Sequence, residues 1–380
     1  MDIAYVTTYD GNDIRKWSGT GYYISEALKN QLLYVEHISS LNNAYSLPFK
    51  AAGRLYSRFF KKNYLADRNP SVLKNYARQV SKSLSHFDAD VVFSPGTVPI
   101  TYLECRQPIA FWTDATFAGM IDFYPEFSNL CEQSIKEGNR MEQMALERCQ
   151  LAIYSSDWAA KTAINKYRVN PNKVKVVPFG ANIKCDRDFD DIRAIVASRP
   201  RDKCKLLFLG VDWLRKGGDV ALEVAKQLNE VGINAELTIA GCQPVVDDSL
   251  PSYVKSLGFI SKSTHRGRHQ IDKLFAESHF LILPSRAECY GVVFCEANSF
   301  GVPCIATNSG GIPTVIKNGL NGQLFSEDAE ISEYCKYISD TFSNYSQYEN
   351  LAVSSFYEYQ DSLNWAVAGR TVKKMLMELN

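Results

Sequence analysis

The chain predicts an α/β architecture of two doubly wound domains, each built on a parallel sheet. Three observations carry that prediction. Short apolar runs alternate with stretches of helical spacing from the N-terminus onward. The runs are continuously apolar, as strands buried on both faces are. The whole pattern then restarts after a polar, Asp-rich stretch near Asn182.

In the first half the expected strands are 2–7 (DIAYVT), 32–38 (LLYVEHI), 90–94 (DVVFS), 108–112 (PIAFW), 151–155 (LAIYS) and 174–178 (VKVVP). Segments 21–29 and 129–149 between them have helical spacing. In the second half the expected strands are 205–210 (KLLFLG), 235–240 (AELTIA), 256–260 (SLGFI), 279–284 (HFLILP) and 303–307 (PCIAT). The domains are therefore expected at 1–182 and 183–360, with a last helical segment at 361–380. Two such domains would face each other across a cleft, with ligands at the carboxyl ends of the strands.

Length and composition narrow the function. With 380 residues, 46% apolar, each half is long enough to bury its own core. Lys plus Arg and Asp plus Glu both number 42, so no global charge argues for nucleic acid as a partner. Ten cysteines without a Cys-x-x-Cys pair fit a reduced, cytoplasmic protein better than a disulfide scaffold, and five histidines that do not cluster with them argue against a structural zinc site. The N-terminus reads as a strand rather than a signal peptide, and no apolar run reaches the roughly 18 residues a membrane span requires.

The segment Pro284–Phe325 carries the most function. Glu288 follows an apolar strand, and Glu296 lies seven intervening residues later in a short helix opened by Gly291 and closed by Gly301 and Pro303. A carboxylate at Glu296 among Val292, Val293, Phe294 and Cys295 needs hydrogen-bond partners, which sugar hydroxyls would supply. The N–H groups of Gly291, Val292 and Val293, just after Tyr290, suit a phosphate or diphosphate. Together these features fit a nucleotide sugar.

The segment resembles the nucleotide-sugar site of the retaining glycosyltransferases of family 4, which have the GT-B fold. The matching residues are Glu288, Glu296, Gly301-Val302-Pro303, Gly310-Gly311, and Asn318-Gly319 with Gly322. The resemblance covers about residues 203 to 325 by motif and the first domain by architecture. It implies that the last helix, about 364–379, packs back on the first domain. It also implies that Lys216, in the glycine-rich loop after Gly210, contacts the diphosphate, that Glu288 holds the transferred sugar and that Glu296 holds the ribose. Many members have an arginine directly after the strand-ending glycine; this chain has Val211, with Arg215 four residues along. Asp219 is the expected N-cap of the following helix. The run 256–262, containing Phe259, lies where relatives hold the nucleotide base.

In the first domain, Gly19 and Gly21 form a second glycine loop. It either lets the backbone approach donor phosphates or acceptor, or simply opens a helix. Many relatives have a histidine near the sugar where this chain has Asp114, which would either bind a sugar hydroxyl or cap the following turn. Arg286 would touch the acceptor or pair with a carboxylate.

The family transfers a glycosyl group with retention and without a metal ion or other cofactor. Catalysis would then be electrostatic, with Lys216, Arg215 and the helix N-terminus stabilising the departing diphosphate. Three motifs are set aside: Asp88-Ala-Asp90 and Asp186-Arg-Asp188 read as solvated turns rather than metal-binding Asp-x-Asp, and His265 with His269 reads as a solvated loop.

The acceptor would be a glycan or a lipid-linked molecule. Residues 50–82 are basic, with interleaved aromatic and aliphatic side chains. They could lie on the inner face of an anionic membrane, but a solvated helix pair with an apolar inner face is the favoured reading. Two other functions compete. An epimerase on this fold needs acid/base groups the sequence does not supply, and a sugar-nucleotide-binding scaffold or inactive partner subunit is favoured only by Val211 and Asp114.

Overall fold

The computed structural model describes residues 1–43, 47–246 and 249–379. The chain divides into two compact units: Met1–Pro178 with Trp365–Asn380, and Phe179–Asn364. Each holds one six-stranded, wholly parallel sheet with helices between the strands.

In the first unit the strands are β1 Asp2–Val6, β2 Tyr34–Ile38, β3 Val91–Ser94, β4 Ile109–Thr113, β5 Leu151–Tyr154 and β6 Val174–Val176, in the order β2-β1-β3-β4-β5-β6. In the second they are β7 Cys204–Leu209, β8 Ala235–Ala240, β9 Val254–Ser256, β10 Phe280–Leu283, β11 Cys304–Thr307 and β12 Gly322–Phe325, in the order β12-β11-β10-β7-β8-β9. Composition follows position. The central strands β3, β4, β10 and β11 are buried at every residue, whereas edge strands β2 and β6 have exposed ones. Helices cover both faces of a parallel sheet, so its inner strands carry no polar alternation.

The structure departs from the sequence reading at the edges of the second sheet. The expected strand at 256–260 is a loop from Leu257 onward, with Gly258 at φ 65°, and the edge strand is the preceding Val254–Ser256. β12 was not anticipated, because only four residues of mixed polarity form it. Its pairing with β11, from Cys304 opposite Gly322 to Thr307 opposite Phe325, supplies what its composition does not.

The Trp365–Met377 helix belongs to the first unit. Trp365 stacks on Tyr23 and meets Trp112 edge-on, and Lys373 Nζ donates to the Gln31 carbonyl at 2.8 Å. In the second unit, buried Arg199 ties several elements together. Its guanidinium donates to the carbonyls of Ala276, Phe300 and Gly301 and to the Tyr348 hydroxyl. Two of those carbonyls belong to the turn that follows the Glu296 helix, so this network fixes where that helix ends.

Glu142 is buried in the first unit, with Thr97 Oγ1 donating to its Oε2 at 2.9 Å. Burial raises its carboxyl from 4.5 to about 7 despite that bond. The unfolded chain releases this proton near pH 4.5 and the folded chain near 7. The contribution to stability is therefore complete below 4.5 and is lost as pH rises to about 7. Denaturant titrations should show Glu142→Gln gaining on the wild type across that window, by at most about 3 kcal/mol.

Candidate functional site

The loop after β7 is shaped by close approaches. Gly217 has φ 73°, and a Cβ there would lie 2.1 Å from the Pro284 carbonyl oxygen, so the loop presses against the segment leaving β10 where only glycine fits. Gly210 leaves room for the lysine stem, since a Cβ there would sit 3.1 Å from Lys216 Cγ. Asp212 sets the turn: its Oδ1 accepts from the Arg215 amide at 3.0 Å and its carbonyl accepts from the Lys216 amide at 3.2 Å.

Asp219 is not the N-cap of the helix that follows. Gly217 occupies that position, and the helix runs Gly218–Glu230. The Asp219 carboxylate instead takes a two-pronged bond from Arg286, at 2.8 and 2.6 Å, so Arg286 pairs with a carboxylate. The Arg286 amide also donates to the Arg215 carbonyl at 2.8 Å, which staples the two loops together.

Glu288 stands in the segment after β10, its carbonyl accepting from the Gly311 amide at 2.9 Å. The Gly310-Gly311 turn thus holds the backbone from which this glutamate projects. Its side chain receives a hydrogen bond from Lys216 Nζ, and Arg215 Nη1 lies 3.8 Å from the same oxygen. Lys216 and Glu288 are each only 8% exposed. Burial first, and Arg215 second, push the Lys216 ammonium down to about 7, while Cys289 and the Asp212 carboxylate work in the opposite direction. Arg215 Nη1 also donates to the Ala287 carbonyl at 2.9 Å.

Glu296 lies in the Val292–Asn298 helix, which begins after Gly291 at φ 89°. It is 1% exposed, and Lys262 Nζ donates to both of its carboxylate oxygens. Lys262 is the residue that reading the sequence missed. It ends the 256–262 run, and its only signal was being the last basic residue of a loop already suspected of holding a base. Gly291 joins the two carboxylate positions, because a Cβ there would lie 3.3 Å from Glu288 Cγ. Val292 and Val293 are half-buried in the first turn. Tyr290 is buried, and its hydroxyl donates to the Phe179 carbonyl at 2.7 Å, so that side chain serves the core.

Residues 189–354 match the family described as Glycosyl transferases group 1. This segment is a glycosyltransferase domain. The D-inositol 3-phosphate glycosyltransferase of Mycobacterium marinum is 27% identical to the chain over 190 residues, 49% of this chain and 41% of that protein. The corresponding protein of Mycobacterium leprae is 27% identical over 187 residues, 48% of this chain and 44% of its own length. The chain thus spans less than half the length of these curated relatives. Among solved structures, a sucrose-phosphate synthase from Thermosynechococcus elongatus superposes with a TM-score of 0.70 at 15% identity, covering 100% of this chain and 99% of that one. HepE from Anabaena, in complex with UDP-glucose, superposes at 0.63 and 14% identity, covering all of both chains. The fold is GT-B.

Within the glycosyltransferase domain, Lys216, Arg215 and Glu288 form one charge cluster, with Gly210 beside it, and Glu296 with Lys262 forms another. Val211 is exposed and Phe259 is 73% exposed in its loop. The remaining predicted residues lie in the first unit. Gly19, at φ 87°, is the N-cap of the Thr20–Lys29 helix and follows Trp17 and Ser18, which also have positive φ. Gly21 is buried in that helix, where a Cβ would lie 2.2 Å from the Tyr9 hydroxyl. Asp114 is half-buried just after β4, and burial pushes its carboxyl up to about 6 against a bond from Trp17.

The motifs set aside have structural roles. Asp90 accepts from the Asp2 amide at 2.7 Å, and Asp188 caps the Phe189–Ala197 helix in a capping box. His265 and His269 are exposed, as expected, but they lie on the Thr264-capped helix His265–Glu277 and not in a loop. Among the described residues no group of three His, Cys, Asp or Glu side chains is placed to hold a metal ion.

Proposed function

We propose that this protein is a retaining, metal-independent glycosyltransferase that moves a hexosyl group from a nucleoside-diphosphate sugar to a hydroxyl of a glycan or lipid-linked acceptor. The observation that carries the proposal is the buried Lys216–Glu288 contact with Arg215 beside it, in a domain of the glycosyltransferase group. A cation with so little exposure and a carboxylate as its partner is poised to exchange counter-ions. A diphosphate arriving beside Lys216 would take over that charge and release Glu288 to accept from hydroxyls of the transferred sugar. Glu296, held by Lys262, would accept from the ribose hydroxyls.

In the reaction, the bond between the anomeric carbon and the diphosphate oxygen breaks as the acceptor oxygen bonds to that carbon from the same face. The acceptor proton passes to the departing diphosphate. Lys216, Arg215 and the amides at the start of the Val292–Asn298 helix would stabilise the charge that builds on the leaving group. In the first unit, Asp114 would bind a sugar hydroxyl. UDP-glucose in the similarly folded HepE supports a nucleotide-sugar donor.

The test is to incubate the protein with uridine and guanosine diphosphate sugars and a panel of glycan and lipid-linked acceptors. Nucleoside diphosphate should be released with formation of a product whose anomeric configuration matches the donor's, at a rate unchanged by EDTA. An inverted product or loss of activity on chelation would refute the mechanism. Binding of a donor without turnover on any acceptor would favour the scaffold reading.

A further inference from the structure

The basic region 50–82 is two different surfaces. Its second half is an amphipathic helix, Pro70–Leu84, whose Val72, Leu73, Tyr76, Ala77 and Val80 are buried in the first unit's core. There the solvated-helix reading is correct: Lys74 lies over the Tyr102 ring, and Arg68 just before the helix is buried beside Asp67. The first half behaves in the opposite way. The helix Leu47–Leu55 continues into a wider turn, Tyr56–Phe60, that ends at Lys61 in the left-handed region, φ 52°. Here large apolar side chains point outward: Leu55 is 56% exposed, Phe59 69% and Phe60 67%.

Charge within this stretch has one sign. Lys50, Arg54, Arg58, Lys61 and Lys62 are all exposed, the stretch 47–62 contains no acidic residue, and none of the five is in an ion pair among the described residues. The outward rings are not a loose end. Phe49 packs against the core, and Tyr56 stacks on Tyr64 at 5.4 Å between centroids. The chain just beyond is pinned at Asn63, which pairs with the Asn129 carbonyl and the Cys131 amide, while Asn129 Nδ2 donates to the Lys61 carbonyl at 2.6 Å. A fixed element therefore presents two adjacent phenylalanines and a leucine among five exposed cations of its own stretch.

We infer that Leu55, Phe59 and Phe60, ringed by Lys50, Arg54, Arg58, Lys61 and Lys62, form a docking surface for an anionic phospholipid bilayer. The rings and the leucine would enter the boundary between headgroups and acyl chains while the cations meet lipid phosphates. Each half of the patch answers one half of such a membrane. Water solvates the exposed rings poorly, and five uncompensated cations within one short segment repel one another until anions lie beside them. A nucleic-acid duplex would satisfy the cations alone, and an uncharged apolar protein face the rings alone.

The test is co-sedimentation of the full chain with phosphatidylcholine vesicles, with and without phosphatidylglycerol as roughly a third of the lipid. The wild type should pellet with the anionic vesicles and remain soluble with the neutral ones. Lys61→Gln with Lys62→Gln should weaken partition about thirtyfold, and Phe59→Ser with Phe60→Ser at least about tenfold. Melting curves matching the wild type's will confirm that these surface variants fold. Wild type left in the supernatant, equal pelleting with neutral lipid, or variants that sediment like wild type would overturn the inference. So would RNA displacing the protein from vesicles at low concentration. The assay reads no donor and no transfer, so its failure would leave the proposed activity standing.

Discussion

Lys216→Met is expected to lower the rate of sugar transfer about 10²–10³-fold, measured as nucleoside diphosphate released at saturating donor. Methionine keeps much of the unbranched stem beside Gly210 and removes the charge. The loss should fall mainly on turnover. In the proposed mechanism the diphosphate's charge would already be shared with Arg215 before the bond breaks, whereas the extra charge of the leaving group develops only as it departs. Glu288 would lose its closest partner, but Arg215 at 3.8 Å remains beside the carboxylate, so a melting curve should separate loss of chemistry from loss of fold. Activity within a few-fold of wild type would remove Lys216 from the mechanism.

Glu296→Ala is expected to raise the KM for the nucleotide sugar about 10- to 100-fold with a smaller change in turnover. A buried carboxylate that accepts from two ribose hydroxyls makes two charge-assisted hydrogen bonds, each worth about 1.5–3 kcal/mol before desolvation of the ligand is counted. Such bonds would lie away from the breaking bond and be equally present before and during reaction, so binding should bear the loss. Lys262 would be left without its carboxylate, but its side chain is a third exposed and can turn to water. A Glu296→Gln variant retains an acceptor oxygen and should lie between the two. A KM unchanged in both variants, measured by initial rates, would exclude a ribose contact at this position.

The parallel sheets were legible because burial on both faces forces continuous apolar strands such as Phe280–Leu283 and Cys304–Thr307. The weak edges were not, since β12 owes its existence to pairing with β11 more than to its own residues. Much of the second unit's charge cluster was readable for a related reason. Glycines mark its turns, and Lys216 and Glu288 each sit beside one such turn. What the chain could not disclose were partnerships between distant side chains: Lys262 with Glu296 across 34 residues, and Arg286 with Asp219 across 67. Asp219 missed its expected cap because Gly217, in the left-handed region, already opens the helix at Gly218, which leaves the carboxylate inside the first turn to meet the Arg286 fork. Leu55, Phe59 and Phe60 misled in the other direction, since interleaved apolar residues usually mean an inner face and here they lie outside.

The central claim is that the second unit binds a nucleoside-diphosphate sugar through Lys216, Glu288 and Glu296. The most direct measurement is a thermal-shift titration of the wild type and Glu296→Ala with uridine and guanosine diphosphate sugars. One nucleotide class should raise the wild-type midpoint progressively with concentration, as mass action requires, and should raise the variant's much less. No stabilisation by any nucleotide sugar, or equal stabilisation of both proteins, would contradict the claim.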